Sequence, residues 1–428
     1  MRAADARVAR DAQALLAGAG VEATALTGPY RPAPDGEDIC IVPIGGESAG
    51  AIASAATASA CPPIACLAGY ANMAPPPLDL SVTTAFSGAI SLDAPPRLLR
   101  GQVDAWMRVA VAEEECARRV ATAATLGVPA PQPPETRKLK ALYIGAPSSM
   151  FLALERVLAE QGGLVAAAFS SYAGFDHLHD EPFDAVVLNG AHDPSTAVSL
   201  CAALRRNATL YHLPTLVLTK PGDSATAAAA IDRGASAICA QTMPCSASLG
   251  WLFEAVGRER RRRASEHEMR ALRDLMGDAR TGLWRRPPFD AHLAQMASDH
   301  HVSGRPMSLV ALRVTPAIGA REPAEDVWRK GFIEIASLAA RLIRDADSGV
   351  TLGADLIALA LPAASLRSAR RTAERIASVA ECTAFASGDG GAGPLVFEQS
   401  VVELQPGESG AGLLARALRA IEVESIPA

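Results

Sequence analysis

Two pairs of short, largely apolar runs constrain this chain more than any other feature. Asp38-Ile39-Cys40-Ile41-Val42-Pro43 is followed by Pro63-Ile64-Ala65-Cys66-Leu67, and Asp184-Ala185-Val186-Val187-Leu188-Asn189 by Pro214-Thr215-Leu216-Val217-Leu218-Thr219. Runs that are apolar at successive positions, not every second one, suit strands covered on both faces, as in a parallel sheet. Alanine-rich segments with helical potential, such as Ser195 to Arg206, lie between them and suit βαβ crossovers. The repetition predicts an internal duplication of a doubly wound α/β unit.

At 428 residues and roughly 100 to 200 residues per domain, the chain has room for two to four domains. The clearest linker is Gly127-Val128-Pro129-Ala130-Pro131-Gln132-Pro133-Pro134, because proline lacks the helical donor and clashes with the preceding turn. Three segments are expected: 1–125, 138–257 and 278–428. Pro96 to Ala124 reads as one long helix, on which Glu113-Glu114-Glu115 can pair with Arg118-Arg119 at helical spacing. Leu252 to Leu275 reads as another. Its run Arg258-Glu259-Arg260-Arg261-Arg262-Arg263 is expected to be a solvated face, with a coiled-coil connector as the functional alternative.

A hydrophobic share of 49% with only 4% aromatics predicts aliphatic, alanine-rich cores. A net charge of −6 argues against broad nucleic-acid binding, which needs a cationic face to displace counterions. The opening Met1-Arg2-Ala3-Ala4-Asp5 has no apolar signal core, and no stretch approaches the roughly 20 apolar residues that span a bilayer. A cytoplasmic location is expected. The eight scattered cysteines, with no Cys-x-x-Cys, read as reduced, buried thiols. Asp176-His177-Leu178-His179-Asp180 reads as a surface turn and Asp299-His300-His301 as isolated, so no metal site is expected.

The second segment, about residues 138 to 257, resembles a receiver domain of two-component signalling. Lys140-Ala141-Leu142-Tyr143-Ile144-Gly145-Ala146 stands where a receiver's first strand would end in paired acids, and both acids are missing. Asn189 holds the phospho-acceptor position, Thr219 the switch hydroxyl and Gln241 the place of the lysine. Phosphorylation needs an aspartate nucleophile, a magnesium held by acids and a lysine on the phosphoryl oxygens. The resemblance therefore implies a scaffold that is not phosphorylated. The first segment departs further, with Pro43 at the acceptor position.

In the third segment, Asp278-Ala279-Arg280-Thr281-Gly282-Leu283-Trp284-Arg285-Arg286-Pro287-Pro288-Phe289 resembles the opening of GGDEF domains, the diguanylate cyclase family. Met307-Ser308-Leu309-Val310-Ala311-Leu312-Arg313-Val314 matches the first strand, with Arg313 in place of the metal-binding aspartate. A cation there repels the magnesium that bridges nucleotide phosphates. Thr315 to Phe332 lacks the family's ribose- and guanine-holding landmarks. In the signature hairpin Gly353-Ala354-Asp355-Leu356, Ala354 adds a Cβ where glycine would let backbone approach phosphate and Leu356 replaces an acid; Asp355 survives. The resemblance implies a catalytic residue set of none.

Five residues upstream of Gly353, Arg344-Asp345-Ala346-Asp347 matches the family's product-inhibition motif. The bare Arg-x-x-Asp pattern is weak, since Arg2-Ala3-Ala4-Asp5 also has it, but the register of its neighbours supports it. A helix-end salt bridge is the plain structural alternative. A guanidinium can meet guanine O6 and N7 while a carboxylate accepts from N1 and N2. Family members hold a cyclic di-GMP dimer between this pair and a further arginine; Arg375 sits at the matching place and Arg371 one turn earlier.

The order of segments resembles the PopA-like cyclic di-GMP effectors of bacterial signalling. That resemblance implies two tandem receiver-like, flavodoxin-like parallel-sheet domains, then an α+β GGDEF-type domain. It further implies a homodimer, recruitment to a cell pole, and delivery of replication-control substrates to the ClpXP protease with the adaptor RcdA and the regulator CtrA. It requires no cofactor beyond the ligand cyclic di-GMP. Two alternatives stay open: an active diguanylate cyclase, and a dimerisation scaffold that binds no ligand.

Overall fold

The apolar runs form strands because each is flanked by a helix that can cover it. The computed structural model describes residues 1–27, 39–44, 48–59, 62–71, 76–77, 80, 84–132, 137–240, 247–320, 323–387 and 394–424. Gln241, Asp38, Pro133 and Pro134, singled out above, lie outside the described residues. The chain divides into two units, one built from the chain up to Ala110 and from Glu135–Arg263, the other from Val111–Pro134 and Ala264–Ala428.

In the first unit the strands are β1 (Arg2–Ala3), β2 (Leu26–Thr27), β3 (Ile39–Pro43), β4 (Ala65–Tyr70), β5 (Gly88–Ser91), β6 (Lys140–Ile144), β7 (Leu164–Ala168), β8 (Ala185–Asn189), β9 (Thr215–Leu218) and β10 (Ala237–Cys239). β6 to β10 form an all-parallel sheet in the order β7-β6-β8-β9-β10. This is the 2-1-3-4-5 order of a flavodoxin-like doubly wound sheet. β8 and β9 are buried at every position, which is why they lack alternation. The intervening helices Ser149–Glu160, Ser171–Asp180, Pro194–Arg206 and Ser224–Asp232 start at Ser148, Ser170, Asp193 and Asp223, whose side chains accept from backbone N–H groups of the first turn. Such caps contribute about 1 kcal/mol each.

β3, β4 and β5 make a second parallel sheet, and β1 pairs in parallel with β2. β1 lies beside β3, so the strands follow the same spatial order, although no sheet hydrogen bonds join β1 to β3.

The second unit holds β11 (Met307–Pro316), β12 (Ser348–Thr351), β13 (Leu356–Pro362) and β14 (Leu395–Glu403), antiparallel in the order β12-β13-β11-β14. Successive residues of β11 point to opposite faces. Val310, Leu312 and Val314 pack with Phe332, Ile335 and Ile376, whereas Met307, Leu309 and Ala311 pack with Phe289, Met296 and Leu413. Helices Glu325–Leu342 and Leu366–Glu381 thus contribute to one core, and Arg286–Ser303 and Gly410–Glu424 to the other. The fold class is mixed α/β with parallel sheets.

The two expected long helices run Pro96–Thr125 and Gly250–Met276. Two expectations are corrected. His177 and His179 stand on the helix Ser171–Asp180, not on a turn, capped by Ser170. The Arg258–Arg263 run is not a solvated face: Arg258 pairs with Glu254 (2.9 Å), Arg260 with buried Asp184 (2.7 Å), Arg262 with Glu259 (2.7 Å), and Arg261 donates to the Ser87 carbonyl (2.6 Å). Glu254 and Glu259 lie at helical spacing on the same helix, whereas Asp184, just before β8, is brought to Arg260 only by the fold. Among the described residues, no helix is long and apolar enough to cross a membrane.

Candidate functional site

Arg344 and Asp347 stand on a turn between helix Glu325–Leu342 and β12, not on a helix; the Asp347 N–H donates to the Arg344 carbonyl (2.9 Å). The Arg344 guanidinium donates to the Asp347 carboxylate from Nη2 (2.7 Å) and Nε (3.1 Å), and the Arg344 N–H donates to the other carboxylate oxygen (2.8 Å). Arg344 Nη2 also donates to the Pro362 carbonyl (3.1 Å). The Asp347 side chain is 2% exposed and that of Arg344 is 53% exposed, so the guanidinium is the face of the couple that meets solvent. Burial pushes the Asp347 carboxyl above its ordinary value against the pull of Arg344.

Arg375, on helix Leu366–Glu381, reaches into the same corner by donating from Nη2 to the Leu342 carbonyl (2.8 Å), two residues before Arg344. Arg371, one turn earlier, is exposed. The structure therefore joins Arg344 to Asp347 directly and anchors Arg375 two residues before them, while Arg375 and Arg371 are both exposed.

The signature hairpin joins β12 to β13. The Leu352 N–H donates to the Leu356 carbonyl and the Val314 N–H to the Asp355 carbonyl (both 2.8 Å). Gly353 has φ +150°, which favours glycine. The Ala354 carbonyl accepts from Trp328 Nε1 (2.9 Å). Leu356, opposite Arg313 in the register, turns its side chain into the core beside Trp284 and Ala358. Arg313 Nε stands 3.7 Å from Asp355 Oδ2, so the surviving acid faces a guanidinium.

Behind the Arg344–Asp347 turn lies a charged cluster that spacing did not reveal. Glu115, Arg118 and Arg119 are each 1% exposed in their side chains, and His292 is fully buried. Arg119 Nε donates to Glu115 (2.9 Å), while its Nη2 donates to the Asp347 carbonyl (2.9 Å) and its Nη1 to the Met269 carbonyl (3.3 Å). Arg118 pairs with Glu115 and with Asp299 (2.8 Å), and Arg305 pairs with Glu114. Trp284 stacks on His292 at 4.8 Å and lies 5.4 Å from the Arg119 guanidinium.

Burial alone would raise Glu115, but His292, Arg119 and Arg118 outweigh it and hold the carboxyl far below its usual range. Burial in turn lowers His292 against the pull of Glu115. His292 Nε2 lies 2.8 Å from a Glu115 carboxylate oxygen and Nδ1 3.0 Å from the Thr122 hydroxyl, so the ring ties helix Arg286–Ser303 to helix Pro96–Thr125. Asp299 and His300, read in sequence as isolated, belong to this cluster; His300 Nδ1 donates to the Arg305 carbonyl (3.1 Å). The Glu113–Arg119 spacing announced pairing but not burial, and nothing in sequence linked it to His292.

In the first unit, Asn189 ends β8. Its Nδ2 donates to the Tyr143 hydroxyl (2.7 Å) and the Ala146 carbonyl (3.3 Å), and its Oδ1 accepts from the His192 N–H (3.3 Å). Tyr143, within the Lys140–Ala146 stretch expected to end in receiver acids, thus joins Asn189 in a neutral network. Among the described residues, the buried Thr219 hydroxyl has no hydrogen-bond partner.

No model of a known protein family matches the chain, and no curated protein matches it. Partial likeness exists to solved structures. The GGDEF domain of DgcB from Caulobacter crescentus, in complex with c-di-GMP, is 21% identical over 35% of this chain and 88% of its own, with a TM-score of 0.30. A protein from Chloroflexus aurantiacus assigned as a response regulator is 21% identical over 28% of this chain and 99% of its own, TM-score 0.27. The active GGEEF domain of a diguanylate cyclase from Vibrio cholerae is 15% identical over 32% and 88%, TM-score 0.29. At such TM-scores none of these likenesses bears on what the chain does.

Proposed function

We propose that this chain is a non-enzymatic effector or scaffold of bacterial signalling that binds cyclic di-GMP at Arg344, Asp347 and Arg375. The observation that carries the proposal is the Arg344–Asp347 couple itself: a half-exposed guanidinium lying over a buried carboxylate, with a second arginine at the same corner. In the free protein the two groups satisfy each other. A guanine edge offers the same exchange, with N1–H and N2–H for the carboxylate and O6 and N7 for the fork. Ligand entry then means that Arg344 swings outward, and Asp347 trades its guanidinium bonds for those of the base while keeping the Arg344 N–H.

Loss of synthesis is supported by Arg313 and Leu356, which place a cation and a buried methyl-bearing side chain where magnesium needs acids. Asn189 and Pro43 support a parallel loss of phosphorylation in tandem receiver-like segments. On this proposal, ligand changes domain docking or homodimerisation. Pole recruitment and delivery of substrates to ClpXP through RcdA and CtrA are the cellular outputs that the sequence resemblance brings with it.

Calorimetric titration of the full chain with cyclic di-GMP tests the proposal. Saturable binding by the wild type and its loss in Arg344→Ala and Asp347→Ala are expected; equal affinity in the variants rejects the site. Incubation with GTP and magnesium should yield no product, and turnover abolished by Asp355→Ala would overturn the non-enzymatic assignment.

A further inference from the structure

The first unit contains a cavity of about 290 Å³ whose wall carries five arginines, Arg97, Arg108, Arg205, Arg258 and Arg262, but one carboxylate, Glu259. Helix Pro96–Thr125 supplies Arg97 and Arg108 about three turns apart. Helix Pro194–Arg206 supplies Arg205, and helix Gly250–Met276 supplies Arg258 and Arg262 one turn apart.

Two of these cations have acids of their own: Arg258 pairs with Glu254 at 2.9 Å and Arg262 with Glu259 at 2.7 Å. Arg205 is held by neutral acceptors alone, namely the carbonyls of Gly234 (2.8 Å), Tyr211 (2.6 Å) and Leu213 (3.0 Å) and the hydroxyls of Thr215 (3.1 Å) and Ser236 (3.3 Å). Its seat requires a glycine: Gly234 has φ +95°, and a Cβ there would stand 2.7 Å from Arg205 Cγ. Among the described residues, no carboxylate lies within ion-pair distance of Arg97, Arg108 or Arg205. Asp104, on the helix of Arg108, is 3.6 Å from Arg100 instead.

Three guanidinium charges therefore border one concavity without a close ion-pair partner among the described residues, although Glu259 shares the wall. Burial pulls Arg108 below its ordinary value; Asp104 opposes the shift, and Arg258 and Arg262 add to it. Burial, with Arg262, Arg263 and Arg205 opposing Glu259, likewise lowers His212 on the same wall. An anion in the cavity would reverse both effects, because opposite charge favours the protonated forms.

We propose that this cavity binds a small phosphorylated anion, with Arg97 and Arg108 as donors and Arg205 as a fixed positive background. The guanidinium fork matches phosphate oxygens in pairs. The volume lies at the small end of ligand pockets, which run from about 300 Å³ upward, and so suits a compact di- or polyanion. Tyr211 at the wall is 52% exposed and offers a ring face to a ligand that also carries a base. The site is independent of the Arg344 corner.

Isothermal titration of the full chain with sodium pyrophosphate and, separately, adenosine diphosphate tests this. Saturable binding of at least one probe is expected, at least tenfold weaker in Arg108→Glu, measurably weaker in the milder Arg108→Gln, and unchanged in Arg344→Ala. Tighter adenosine diphosphate assigns the site to a nucleotide, and tighter pyrophosphate to a phosphate without a base. Absence of saturable binding of either probe to the wild type, or undiminished affinity in both Arg108 variants, would overturn the site.

Discussion

Replacing Glu115 by Gln removes the negative charge between two buried guanidiniums and keeps the shape of the side chain. Arg118 retains Asp299 at 2.8 Å and Glu114 at 3.6 Å. Arg119 retains only neutral partners: two carbonyls and the Trp284 ring. Breaking a buried ion pair from one side costs about 3–5 kcal/mol, and because Arg118 stays paired the lower end applies, about 3 kcal/mol. For a domain of this size each kcal/mol moves Tm by about 2–4 °C, so the transition of the second unit should fall by about 10 °C in differential scanning calorimetry. Substituting Glu115→Leu together with Arg119→Met replaces the pair with apolar groups of similar bulk and should recover more than half of the loss, since buried ion pairs seldom outperform such packing. Arg119 also holds the Asp347 carbonyl, so Glu115→Gln should weaken cyclic di-GMP binding several-fold without touching the ligand. A loss under about 1 kcal/mol, or a double variant as unstable as the sum of its singles, would refute the claim that this cluster is a coupled buried network.

Burial, reinforced by Arg118, brings His300 down to about 4, while an unfolded histidine titrates near 6.5. Its neutral form therefore contributes fully above pH 6.5 and loses roughly 3 kcal/mol as pH falls toward 4; His300→Asn should flatten the dependence of Tm on pH across that window, and an unchanged slope would contradict it. Burial pushes the Cys116 thiol up to about 12 and Cys201 to about 11, whereas Cys382 is exposed. Mass spectrometry after native alkylation at pH 8 should find Cys382 modified and both buried thiols intact; early labelling of Cys116 would count against its burial. At Gly331, inside helix Glu325–Leu342, an added Cβ would meet the Phe385 ring at 2.2 Å. Gly331→Ala should therefore destabilise the second unit by about 1–3 kcal/mol despite the better helix propensity of alanine, and a stabilised variant in urea melts would show that Phe385 yields freely.

Sequence alone determined the elements, because each depends on local chemistry. The apolar stretches within 184–189 and 214–219 read as strands covered on both faces, Pro96 to Thr125 carries no proline after its first position, and Gly353 stands at a turn that needs its backbone freedom. The Arg344–Asp347 pairing was legible for the same reason, since three residues separate its partners. Only the tertiary structure decided which charges are buried. Glu115 and His292 are 177 residues apart and meet at 2.8 Å, and Arg119 finds the Asp347 carbonyl across a still longer stretch of chain. The arginine-lined cavity is likewise assembled from three helices, of whose charges only the Arg258–Arg263 run was read in sequence, as a solvated face. Local pattern reports what a residue prefers for its own backbone, whereas desolvation and charge pairing depend on which distant surfaces close over it, and that is settled only when the sheets and helices pack.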